Sequence, residues 1–358
     1  MNTEMLDIYS DYLITQNQQA SATGLAAMLD NKVSHDQVTR FLHSGNFGSK
    51  ELWAYVKPEI RAAEQKTGGV LILDDTIEEK DYTDESDIVC WHYSHAKGRL
   101  VKGMNILTCM ARYEDYSLPV GYDVIKKDIR FSDIETKKER RKTDVTKNDM
   151  FQDMLKQACK NKILFDYVLA DNWFGSKANM KLIDSELNKK FIIGIKSNRT
   201  VTLSREKGTK IEYQQVKNLD LQDGDTCKVW LKELTMPLQL LKKVFKNENG
   251  SEGTLYVVTN DDAIDADKIY KIYQKRWKIE EFHKSVKHNA SLEKSPTKVM
   301  KSQMNHIFSS VIAYCKLEIL SAKKNLNHFA IKFKLVVKAN QAANQELARL
   351  RLGVSCAA

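Results

Sequence analysis

The sequence predicts an α/β fold: a mixed sheet flanked by helices, carrying a β-rich insertion and preceded by a helical amino-terminal domain. Three observations predict it. Short continuous apolar runs ending in acids, GVLILDD (Gly69–Asp75) and YVLAD (Tyr167–Asp171), mark buried strands. Amphipathic segments of helical period alternate with such runs. Between residues 197 and 258, short strand-like segments follow one another across polar turns.

Taken in order, residues 1–66 form a helical domain, with amphipathic segments at Leu6–Ile14, Ala22–Leu29, Asp36–Leu42 and Lys50–Glu64. Ser34 is placed to cap the third, whose Val38, Phe41 and Leu42 share one face. A helix-turn-helix that offers Gln37, Thr39 and Arg40 to a DNA groove fits this pattern, and an ordinary helical bundle fits it equally. Residues 67–196 read as three strands joined by tight turns (Gly69–Asp75, Lys102–Tyr113 and Ser117–Lys127), followed by a helix at Met150–Lys160. The strand Tyr167–Asp171, a helix at Ser176–Lys189 and the strand Phe191–Lys196 complete this part. Residues 197–258 are the β-rich insertion. Beyond Asp261 the chain turns helical, divided into 259–320, a second part of the core, and a carboxy-terminal helical region, 321–358.

Composition narrows the function classes. With 358 residues and 42% hydrophobic side chains the chain folds into more than one packed unit and is not disordered. No run approaches the roughly 20 apolar residues of a membrane span, and the acidic, amphipathic start is no secretory signal. Six scattered cysteines read as reduced cytosolic thiols. A net charge of +9 suits a polyanionic partner.

Asp75, preceded by Asp74, and Asp171 stand at the ends of separate strands, where carboxylates can share a hard cation such as Mg²⁺. Taken singly, such an acid is more often structural. The segment DKIYKIYQKRWKIEEFHKSVK adds a third acid. At helical period Tyr273, Arg276, Glu280, His283, Lys284 and Lys287 fall on one stripe, beside an apolar face of Ile272, Ile279, Phe282 and Val286. Such a stripe suits metal and phosphate together, and a solvated face of i,i+4 ion pairs explains it as well.

The spacing Tyr273, Arg276, Glu280, Lys287 matches the Y-(2)-R-(3)-E-(6)-K signature, and here the sequence resembles the bacterial insertion-sequence transposases of the DDE type. LDDT (Leu73–Thr76) is similar to the family's first-aspartate motif and LADNWF (Leu169–Phe174) to its second, in the right order across residues 66–320. The resemblance implies an RNase H-like core and a catalytic triad of Asp75, Asp171 and Glu280 that holds two Mg²⁺ ions, with Mn²⁺ able to substitute. Asp75 is preferred because it directly precedes the threonine; adjacent strand residues face opposite sides, which sets Asp74 against it.

The resemblance further implies cut-and-paste transposition: cleavage at terminal inverted repeats of double-stranded DNA, then strand transfer to a target by a homodimer in a synaptic complex. A cytoplasmic, nucleoid-associated location follows. Tyr273, Arg276 and Lys287 would grip phosphates, with His283 and Lys284 assisting. Trp230 or Tyr256 in the insertion would stack on a flipped base, although either alone also reads as core. Lys137, Lys138, Arg140, Arg141 and Lys142 form a charged loop that is either solvated or set against the DNA backbone. His92 and His95, in a loop from Trp91 to Arg99, lack the spacing of a zinc pair. The competing readings are a nuclease without strand transfer and a non-catalytic DNA-binding repressor.

Overall fold

The computed structural model describes residues 3–355 apart from 46, 66–67, 96, 115, 136, 138, 206–210, 233 and 247–249. Four helices open the chain: α1 (Thr3–Thr15), α2 (Ala22–Met28), α3 (His35–His43) and α4 (Ser49–Glu64). Capping sets two of the starts. The Ser21 hydroxyl accepts from the Gly24 N–H, and Ser34 and Gln37 form a reciprocal capping box. Strands β1 (Val70–Glu79), β2 (Cys90–Ser94), β3 (Arg99–Tyr113), β4 (Tyr116–Val124), β5 (Ile129–Ser132) and β6 (Glu139–Lys142) follow. Next come α5 (Lys147–Lys160), β7 (Tyr167–Ala170), α6 (Lys177–Lys181), which runs into a π-helical turn at Leu182–Glu186, and β8 (Lys190–Ile195). The insertion supplies β9 (Thr200–Thr202), β10 (Gln214–Gln215), β11 (Thr226–Leu231), β12 (Leu238–Lys246) and β13 (Glu252–Thr259). Helices α7 (Ala266–Gln274), α8 (Trp277–His288), α9 (Met300–Lys324) and α10 (His328–Ser355) complete the chain. No helix among the described residues is long and apolar enough to cross a membrane.

The chain divides into two compact units, Ser49–Glu281 on one side and Met1–Gly48 with Phe282–Ala358 on the other. The first is built on a mixed sheet. Strands β4, β3 and β1 are antiparallel neighbours, and β1, β7 and β8 continue in parallel. Leu71, Ile72, Leu73, Val168, Leu169, Phe191, Ile192 and Ile193 are fully buried, as strands covered on both faces require. Helix α4 packs on β4 within this unit, although the sequence grouped it with the first 66 residues. Its Ser49 hydroxyl donates to the Tyr122 carbonyl at 2.6 Å and accepts from the Tyr122 N–H at 2.8 Å.

The insertion does not stand apart from the sheet. β13 pairs antiparallel with β8, from Tyr256 opposite Ile195 to Thr259 opposite Ile192, and β12, β11, β9 and β10 extend it outward. Strand β12 escaped sequence reading because Lys242 and Lys243 interrupt its alternation. The stretch read as a loop from Trp91 to Arg99 begins as β2, paired with β3 from Cys90 opposite Gly103. The charged stretch likewise contributes a strand, β6, paired to β5.

In the second unit the buried Tyr9 ring meets Tyr12, Phe41 and His306, and its hydroxyl lies 2.9 Å from His306 Nδ1. The Asn305 amide donates to the Leu42 and Ser44 carbonyls at 2.8 Å each, satisfying acceptors left open at the end of α3. On α3, Val38, Phe41 and Leu42 are buried while Gln37, Thr39 and Arg40 face solvent. Residues of the carboxy-terminal region form α10, most of whose side chains are exposed.

Candidate active site

The site forms where β7 ends. Strand β1 runs beside β7 only as far as Leu73 opposite Ala170, then continues alone on that side, so Asp74, Asp75 and Asp171 gather past the last shared pair. Asp171 opens the turn that follows β7. Its Oδ1 accepts from the Trp173 N–H at 2.9 Å, which fixes the carboxylate.

Glu280 arrives on α8. The sequence expectation of one continuous helix through Tyr273 and Glu280 is corrected here: α7 ends at Gln274 and α8 begins at Trp277. Between them the N–H groups of Lys275, Arg276, Lys278 and Ile279 bond to carbonyls three residues back. That tighter winding re-aims the side chains on either side of the join.

Arg276, at this join, reaches both acids, with Nη1 at 3.4 Å from Asp74 Oδ2 and from Glu280 Oε1. Asp74 and Glu280 themselves present oxygens within 4.8 Å of each other. Burial pushes the Asp74 carboxyl up to about 8, aided by the neighbouring charge of Asp171 and then of Asp75 and Glu280, while Arg276 opposes the shift. Burial also raises Asp171, with Asp75 contributing, against the Trp173 N–H and Arg276. Crowded acids with one arginine among them carry an excess of negative charge. A hard divalent cation neutralises that excess, and carboxylate oxygens are donors that such a cation prefers.

Asp75 faces a different partner, Lys147 at the start of α5, whose Nζ lies 3.0 Å from both carboxylate oxygens. The strand-end pair is therefore divided, Asp74 towards Arg276 and Glu280, Asp75 towards Lys147. Both still couple electrostatically to Asp171.

The other sequence-selected residues are dispersed. Tyr273 is buried on α7, and the Arg276 guanidinium sits 5.9 Å from its ring centre. His283 is buried, Lys287 half-buried and Lys284 exposed on α8, one or two turns beyond Glu280. Trp230 is half-buried on β11 with Lys228 over its ring, whereas Tyr256 is 6% exposed within the sheet on β13. Arg40 lies on the exposed face of α3 in the other unit. Of the charged run, Arg141 is bound to Asp87 at 2.6 Å and Arg140 to Asp133 at 3.1 Å, while Lys138 lies outside the described residues. Cys356 does as well, and the five described cysteines are free thiols. The sequence set Asp74 second to Asp75 and gave no role to Lys147 or Trp173. The DNWF segment held the clue to the last, an aromatic two residues after a strand-end acid.

A sheet of order β4-β3-β1-β7-β8, with acids on β1 just past its pairing with β7, at the end of β7 and on a following helix, has the layout of an RNase H-like core. The sequence profile of the family described as DDE superfamily endonuclease matches residues 2–216, and that of the transposase DDE domain matches residues 138–316. The chain belongs to the DDE superfamily of transposases and endonucleases. No curated protein matches it. It is thus a transposase-type nuclease, and enzymes of this superfamily use divalent metal ions.

Proposed function

We propose that this protein moves a DNA element, cutting at its terminal inverted repeats and joining the freed ends to target DNA. The observation that carries the reading is the convergence of Asp74, Asp171 and Glu280 on Arg276, with an acid held near pH 8 by burial and by its neighbours. Asp75, Asp171 and Glu280 would hold two Mg²⁺ ions, with Asp74 as a fourth carboxylate close to Glu280. When bound, the ions lower the cost of charge on the scissile phosphate and on the attacking and departing oxygens.

The chain's own groups do the rest. Arg276 turns from its acids to the phosphate oxygens, for which its planar fork is suited. Tyr273 and Lys287 position the same strand, with His283 and Lys284 assisting. Water attacks phosphorus at the element end and the 3′-oxygen leaves with a proton. That 3′-hydroxyl then attacks a target phosphate, displacing a target 3′-oxygen. A homodimer holds the two ends together, and the protein works at the nucleoid.

Asp171→Asn and Glu280→Gln are expected to abolish Mg²⁺-dependent cleavage of the cognate end, and Asp74→Asn and Asp75→Asn to lower it at least ~100-fold. Supplying pre-cleaved ends with a plasmid target reads strand transfer separately. Cleavage at the wild-type rate in the Asp171 and Glu280 variants would sink the metal site; cleavage without joined product would leave a nuclease alone.

A further inference from the structure

The tryptophan beside the second acid has no role in the chemistry above, yet its surroundings are those of a nucleic-acid contact. Trp173 is 41% exposed. Lys147 Nζ lies 4.8 Å and Lys196 Nζ 5.7 Å from its ring centre, and the His95 ring is 5.7 Å away at 55°. The ring cannot wander far from the acids, because its backbone N–H is tied to Asp171. The floor beside it is tight backbone. A Cβ on Gly175 would stand 2.6 Å from the Gly194 carbonyl oxygen, and one on Gly194 would stand 3.0 Å from the Asn172 nitrogen. Next to the ring opens a cavity of about 340 Å³ whose lining includes Trp173, Ser176, Lys196, Asn198, Arg199 and Thr200.

We infer that Trp173 is a stacking platform for an unpaired base of the strand being cut, and that the adjoining cavity receives the sugar and phosphate of the neighbouring nucleotide. An exposed indole ringed by cations offers a face for any base and charge for the phosphates flanking it. The cavity matches that ligand: Lys196 and Arg199 for the phosphate, and Ser176, Asn198 and Thr200 for sugar and phosphate oxygens. The sequence placed base stacking in the insertion, at Trp230 or Tyr256. Trp173 is more exposed than Tyr256 and is anchored to an active-site acid, which neither of those two is.

The inference rests on the nuclease reading of the acid site, so its test is made without catalysis. The full chain, in chelator, is titrated with a short end-labelled single-stranded oligothymidylate, and binding is followed by anisotropy and by intrinsic tryptophan fluorescence. Trp173→Ala is expected to weaken binding about 10-fold or more. Trp173→Phe, which keeps an aromatic face, is expected to bind within about 3-fold of wild type while losing most of the quenching. Arg199→Ala is expected to lower affinity without altering the quenching at saturation. Binding by Trp173→Ala equal to wild type, in a variant whose thermal melt is unchanged, overturns the platform. If wild type binds and is quenched but never cleaves with Mg²⁺, the nuclease reading falls and the platform stands.

Discussion

Asp74 shows what a buried acid among other acids costs a fold. A carboxyl raised to about 8 is protonated in the metal-free protein at neutral pH, while in the unfolded chain it ionises near 3.8. Its contribution to stability is therefore fully present below pH 3.8 and is lost as pH rises through about 8. Asp74→Asn, which cannot ionise, escapes that loss. In chelator its melting temperature should exceed that of wild type by a margin that grows from pH 4 to pH 9. Added Mg²⁺ should then raise the wild-type melting temperature more than that of the variant. A constant margin across that range would show that Asp74 titrates normally. The choice between Asp74 and Asp75 was not legible in sequence, because alternation along a strand assigns opposite faces without saying which neighbour each face meets. Their different partners depend on Lys147, 72 positions away from Asp75, which pairs with Asp75 through the packing of α5.

At the scale of elements, the β2–β3 hairpin makes its own prediction. His92 is buried on β2 with its Nε2 3.3 Å from Cys90 Sγ. Burial, then the charges of Lys127 and Lys147, lower its pKa to about 3 from 6.5. The fold holds this imidazole neutral, so its share of stability is whole above pH 6.5 and declines as pH falls towards 3. His92→Gln should lose less melting temperature than wild type between pH 7 and pH 4.5, and parallel losses would count against the assignment. Elements with caps were the most legible. Helices α3 and α5 begin where Ser34 and Thr146 accept their first free N–H groups, within three residues of the sequence boundaries. The break between α7 and α8 was invisible, because no glycine or proline marks Lys275–Arg276 and the winding changes for the sake of contacts made elsewhere. β2 was hidden because a five-residue strand holding Trp91, His92 and Tyr93 lacks an apolar run.

For the whole molecule, a net charge of +9 and basic side chains in both units predict DNA binding with a strong electrostatic component. Each phosphate neutralised releases condensed counterions, so affinity for any duplex should fall linearly in log–log form as salt rises, with a slope of roughly −0.9 per contact. Between 50 and 200 mM salt a loss of at least ~10-fold is expected. An affinity that ignores salt would mean that the charge serves only solubility. The core sheet was readable because its parallel strands are short apolar runs ending in acids. That the insertion prolongs this same sheet was not, since pairing between β8 and β13 joins segments separated by residues 196–251.

That pairing has a consequence for how the chain keeps its own company. In a sheet of order β4-β3-β1-β7-β8, the last strand would end the sheet with a row of open N–H and carbonyl groups along Phe191, Ile192, Ile193 and Ile195, a short, apolar template for another chain's strand. β13 occupies that edge, and the extension ends on β9 and β10, strands of three and two residues in which Val201 is the one apolar side chain. The segment therefore also acts as a guard against self-association, moving the open rim from the stickiest strand to the shortest ones.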